Sequence, residues 1–270
     1  MHTRQLLAFL ILTFTLSACD MSATREEADE YLKSGDYEAA VAAYDRVIKL
    51  EPNDAFSLYN RASAKEKLGL YEEAYDDYDI LVKKKENIRL AMLGRSRCLF
   101  EMEKYDYVIM DMKSLLNMDP DNIEGLELRG RSYTKTGENV KAVLDLNQVL
   151  KEQPENIQAL ISRGAAYARG GLGPKAIDDF KAALKIEPNL PVAYFNMGMV
   201  YFLYSNFTEA AETFDKAIAL DPEYAEAYTR RGMSRFESKW FSQEQGCADF
   251  RIAADLEDEL AAAYVKKYCK

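Results

Sequence analysis

The sequence predicts an all-α solenoid, about seven stacked helix-turn-helix units closed by a C-terminal helix. Small residues recur every 34 positions, at Ala28, Ala62, Ser96, Gly130, Gly164, Gly198 and Gly232. An alanine ladder (Ala40, Ala74, Val108, Ala142, Ala176, Ala210) and a bulky ladder (Tyr44, Tyr78, Met112, Leu146, Phe180, Phe214) keep fixed phase with it. Pro52, Pro120, Pro154, Pro188 and Pro222 form a fourth ladder, with Glu86 in its one gap. A fixed period of this kind marks units that bury their apolar faces only against their neighbours.

Each element has its reason. In residues 191–224, apolar or small side chains recur at Tyr194, Gly198 and Tyr201, then at Phe207, Ala210, Phe214 and Ala217. Spacings of three and four predict two amphipathic helices. A turn separates them, often carrying glycine, as at Gly35, Gly69, Gly137 and Gly171. Proline ends the second helix because it cannot continue the hydrogen-bond ladder. The small residue lets the second helix approach, and the bulky one fills the space beside it. In the last unit the second helix starts two residues late, since Phe250 and Ala253 fit the pattern and Ala248 does not.

The positions and the period resemble the tetratricopeptide repeat over residues 21–258, followed by a capping helix at 259–270. The resemblance implies a right-handed superhelix whose first helices line a concave groove, and a protein-binding rather than catalytic role. Ser96, Val108 and Met112 depart from the family pattern in the third unit, and Glu86 in the second.

Composition agrees with a folded, protein-binding chain. The 270 residues are 48% hydrophobic and 30% charged, with a formal net charge of −10, too apolar for a disordered chain. An excess of acids argues against a nucleic-acid partner, which needs a basic face. His2 is the only histidine, and it falls in a segment expected to be removed. Histidine-based triads, metal sites and acid–base catalysis are therefore excluded from the mature chain. Gly170-Gly171-Leu172-Gly173-Pro174-Lys175 lacks the spacing of a phosphate loop and falls at an inter-helix turn. Glu72, Glu73, Asp76 and Asp77 lie on a helix, without a calcium loop's alternating oxygen ligands. No enzyme activity, cofactor or metal is expected.

The N-terminus reads as an address. Arg4 precedes an apolar core from Leu6 to Leu16, too short to span a bilayer and suited to a secretory signal. Leu16-Ser17-Ala18-Cys19 resembles a bacterial lipobox. That resemblance implies a signal peptide over 1–18, Cys19 as the acylated first residue, and a short tether at 19–22. The alternative is a plain signal peptide cut after Ala18. Lipid anchorage would place the chain in the bacterial cell envelope, facing the periplasm. Asp20 resembles the enteric signal for retention at the inner membrane.

Export permits disulfides. Cys247 opens the last repeat helix and Cys269 closes the terminal one. Antiparallel packing around a turn near Asp255–Asp258 would bring their thiols together, and this ending also resembles that of many bacterial repeat proteins. Two reduced cysteines at a frayed end are the alternative. Cys98, on a first helix, reads as a small buried residue.

The groove supplies the candidate binding residues. Arg25 and Asp29 come from unit one, Tyr59, Asn60 and Ser63 from unit two, and Arg97 and Arg131 from units three and four. Ile161, Phe195, Met199, Phe202, Met233 and Phe236 make units five to seven apolar. Large apolar residues on an accessible face mark an interaction site; burial of some of them as core is the other reading. The family's carboxylate clamp is not expected. Arg25 and Asn60 suit it, but Asp29, Leu90 and Gly94 do not. The expected function is a membrane-anchored, non-enzymatic adaptor that binds envelope proteins in its groove. A pilotin or assembly chaperone for a secretion or outer-membrane complex is the alternative. Homo-oligomerisation through terminal units stays open.

Overall fold

A computed structural model describes residues 25–86 and 88–269. Cys19, the expected signal peptide and the tether lie outside the described residues. Every regular element among the described residues is an α-helix. They pair in chain order: α1 (25–34) with α2 (Tyr37–Leu50), α3 (Ala55–Lys67) with α4 (Tyr71–Lys84), α5 (Ile88–Glu101) with α6 (Tyr105–Met118), and α7 (Ile123–Thr136) with α8 (Asn139–Glu152). Then come α9 (Ile157–Arg169) with α10 (Gly173–Ile186), α11 (Pro191–Leu203) with α12 (Phe207–Leu220), and α13 (Ala225–Glu237) with α14 (Gln243–Asp255); α15 (Glu259–Tyr268) follows. The chain divides into two compact units with the boundary at Leu128–Arg129, inside α7.

The small-and-bulky ladders are one contact repeated. A Cβ built on Gly164 would lie 2.7 Å from the Phe180 ring, one on Gly198 2.8 Å from Phe214, and one on Gly232 2.7 Å from Phe250. Glycine lets each ring lie directly on the first helix. Ala62 and Tyr78 are buried in one cluster of the first unit, as Ala28 and Tyr44 are in another. The rings of Tyr44, Tyr78, Phe180, Phe214 and Phe250 are fully buried.

Helix ends follow from local chemistry. Glu51 caps α2 just before Pro52, and Asp221 caps α12 just before Pro222. Glu86 takes the place of proline after α4, which instead closes on Lys85 in the left-handed conformation (φ 59°). Asp54, Asn156 and Asp258 accept hydrogen bonds from the N–H groups of Ser57, Ala159 and Ala261, capping α3, α9 and α15. Asn122 does the same for Gly125 of α7. These caps fall at multiples of the 34-residue period, so α15 stands in register as the first helix of a further repeat.

A second ladder is ionic. The Arg61 guanidinium grips Asp77 through two N–H groups, at 2.8 and 2.5 Å, and reaches Asp45 on the preceding second helix. Arg95 does the same with Asp111 and Asp79, Arg163 with Asp179 and Asn147, and Arg231 with Asp249 and Asp215. Arg129 grips Asp145 alone. All five gripped carboxylates are buried. A guanidinium fork matches a carboxylate bidentately, so each arginine clamps its own hairpin and most also tie it to the one before. The pair α11–α12 breaks the rule, with buried Met197 and Thr213 in the two places.

Cys247 and Cys269 form a disulfide joining the start of α14 to the end of α15. Cys98 is buried, and burial pushes its thiol pKa up to about 12. A thiol held protonated is a poor nucleophile. Cys98 is therefore expected to resist alkylation by iodoacetamide at neutral pH in the native protein, and to react fully in urea; mass spectrometry of both samples checks this.

Candidate binding surface

In the unit ending at Leu128, the first helices α3, α5 and α7 carry a closed polar network. Arg97 of α5 donates to Glu66 of α3 at 2.6 and 3.0 Å and to Glu124 of α7 at 2.6 Å. The Tyr78 hydroxyl donates to the same Glu66 at 3.1 Å. The sequence places Arg97 among the candidate groove residues, where a free guanidinium would be basic. Its donors are instead taken by two carboxylates, and the local charge is acidic. Tyr59 is half-buried, with its ring edge-on to Tyr78 at 5.5 Å, and Asn60 is half-buried beside it. Arg25 pairs with Asp54 and Glu51, and Asp29 accepts from the Tyr44 hydroxyl.

In the unit starting at Arg129, α11 touches α9 on one side and α13 on the other. The Thr134 hydroxyl bridges to the Ser162 carbonyl at 3.3 Å, and Arg169 donates to the Thr134 carbonyl. These bonds join α9 to the last turn of α7. Arg131 is half-buried. Ile161 is half-buried against the Phe180 cluster. Met199 and Phe202 are half-buried against the cluster around Phe214, and the Phe202 ring meets Phe207 edge-on at 5.4 Å.

One expected groove residue, Phe195, is placed otherwise, and two more are partly covered. Phe195 is only 7% exposed, lying 5.6 Å from the Phe214 ring and stacked at 4.9 Å on Tyr224, so it belongs to the core. Phe236 packs against Phe250 and against Tyr268 of α15. Met233 packs into the same cluster. The terminal helix covers part of Phe236, and both residues stay half-buried. In compensation α11 exposes Val192 (40%) and Leu203 (63%). From Pro188 to Thr208 no residue is charged. Among the described residues no cluster of histidine, cysteine and carboxylate side chains is placed to hold a metal ion, and no helix is long and apolar enough to cross a membrane.

Family models of the tetratricopeptide repeat match residues 28–69, 127–191 and 191–224. The chain belongs to the tetratricopeptide repeat family. Among curated proteins, none is similar enough to match. Among solved structures, a tetratricopeptide repeat protein from Parabacteroides merdae is similar at 18% identity and a TM-score of 0.72, over 93% of this chain and 99% of that one. MamA is similar at 22% identity and a TM-score of 0.53, over 67% and 96%. YrrB is similar at 22% identity and a TM-score of 0.55, over 70% and 97%. At these identities the likeness establishes the fold.

Within the tetratricopeptide pattern, the arginine ladder is the feature that apolar spacing concealed. Arg61, Arg95, Arg129, Arg163 and Arg231 keep the repeat period, and the first four stand 16 residues before their aspartates. Arg231 stands 18 residues before Asp249, the same two-residue delay that displaces Phe250. Counting charged residues at the repeat period would have exposed it.

Proposed function

We propose that this tetratricopeptide protein is a lipid-anchored, non-enzymatic adaptor of the bacterial cell envelope, docking a protein segment on the first helices of its second unit. The observation that carries the reading is α11, an uncharged helix that leaves Val192 and Leu203 exposed and Met199 and Phe202 half-exposed in a chain of net charge −10. Apolar surface of this kind is retained where a partner covers it. YrrB is a tetratricopeptide protein with an unusual peptide-binding site, and a comparable use of the repeat face suits this chain. The partner would be an extended or helical segment with apolar anchors, with Phe202 and Met199 as the energetic centre.

Two experiments test the proposal. A photo-crosslinking residue at Phe202, compared with one at Arg25, is expected to give one dominant protein adduct in cells, specific to Phe202. Equal scatter from both sites, or lipid adducts only, would sink the docking assignment. Cys19→Ser is expected to move the protein from the membrane fraction to the soluble one. Unchanged membrane retention would remove the lipid anchor from the reading.

A further inference from the structure

We infer that the turn edge of the second unit pairs with the same edge of another copy of this chain, Trp240 of each copy entering a notch beside Tyr204 of the other. The inference starts from the loop at 238–242. The other units turn tightly between their helices, on left-handed residues such as Gly171 and Ser205. The last unit has two extra residues there, and the loop carries the only tryptophan of the chain. Trp240 is 83% exposed, more than any other large hydrophobic side chain described.

The loop beneath it is braced. Ser238 and Thr208 share a hydroxyl–hydroxyl bond of 3.2 Å, and the Trp240 N–H donates to the Ser238 hydroxyl at 3.3 Å. The Arg235 guanidinium lies 5.6 Å from the centroid of the Phe241 ring. Ser242 and Gln245 cap α14 reciprocally. A held loop thus presents a large apolar ring to water, and that ring has no packing role within its own chain. Trp is the side chain that gains most from burial in a partner's pocket.

The matching hole lies on the same edge. A notch of about 140 Å³ opens between Gly173, Pro174 and Ile177 at the start of α10 and Val200, Tyr201 and Tyr204 at the end of α11, with Asn206 completing its lining. None of its lining residues is charged. Its wall is fixed, because the Tyr204 hydroxyl donates to the Gly171 carbonyl at 2.8 Å and accepts from the Gly173 N–H at 3.1 Å. A Cβ on residue 173 would strike the Tyr204 ring at 2.4 Å, so glycine is needed for this closure. An enclosed apolar cavity of about 150 Å³ holds a benzene ring; this notch is half-open and of similar volume, so it takes one edge of an indole and is too small for a helix. A patch that bears both a knob and a hole is self-complementary under two-fold symmetry. That selects a second copy over an unrelated protein.

The test places a photo-crosslinking phenylalanine derivative at position 240 in an equal mixture of ¹⁴N- and ¹⁵N-labelled full chain. Mixed-isotope crosslinks from position 240 to the peptides carrying 173–177 or 200–206 are the expected result. Crosslinks within one isotope only, to other segments, or none at all, overturn the inference. Sedimentation velocity gives a second reading on the unlabelled chain. The wild type is expected to shift from monomer to dimer as concentration rises, and Trp240→Ala to remain monomeric with unchanged helicity. A wild type that stays monomeric, or a Trp240→Ala variant that still dimerises, also overturns it. Neither outcome tests docking at Met199 and Phe202, which do not line the notch.

Discussion

Asp179→Ala is expected to cost about 3–5 kcal/mol of stability, the loss typical when one partner of a buried ion pair is removed. Arg163 would keep its place between α9 and α10 but lose both bonds to Asp179, at 2.9 and 2.6 Å, retaining the bond to Asn147 and the Tyr167 ring 5.8 Å away. A guanidinium left without its counter-charge in a half-buried site carries the desolvation cost uncompensated. The double variant Arg163→Met with Asp179→Thr should recover most of the loss. It copies the pair Met197 and Thr213, which fill the same two places in the next unit and are both buried. Urea unfolding followed by circular dichroism checks both variants. A double variant as unstable as Asp179→Ala would mean that the ion pair itself, and not the stranded arginine, carries the stability.

The second large effect separates core from docking face on a single helix. Phe195→Ala is expected to cost about 3–5 kcal/mol, the range for removing a buried aromatic ring, because it empties the space between Phe214 and Tyr224. Phe202→Ala removes a ring that is partly in water, packing against the edge of the Phe214 cluster and edge-on to Phe207, so the protein should stay folded with a smaller loss. In a pull-down of the partner identified by crosslinking, Phe202→Ala is expected to abolish capture at a temperature where its helicity is unchanged. If Phe202→Ala unfolds the protein as Phe195→Ala does, both rings are core and the docking face must be sought elsewhere.

Several residues show what periodicity carries and where it stops. The phase of Gly164 against Phe180, or Gly198 against Phe214, is legible because a repeat must reproduce the same close contact at every step. Arg97 shows the opposite. Its charge was plain in the chain, but its neutralisation depends on Glu66 and Glu124, 31 and 27 residues away on adjacent first helices. Only stacking brings those three side chains together. The packing of half-buried Met233 and Phe236 against the Phe250 cluster has a similar origin. They meet Phe250 and the rings of α15 because the disulfide and the Asp258 cap hold that helix in the register of a further repeat.

The sequence by itself determined the number and type of the elements, their turns and their pairing into hairpins. Those features rest on local rules: helical spacing, proline and left-handed turns, and a small residue opposite a bulky one. Tertiary structure alone decided which face of α11 is buried. From Pro188 to Thr208 no charged residue marks a solvent side, so Phe195 and Phe202 look alike until Phe214 and Tyr224 close over one of them. It also decided that the arginines are clamps, and that Trp240 stands in solvent. Each of these outcomes depends on what neighbouring helices cover, which is a property of the stack and not of any one repeat.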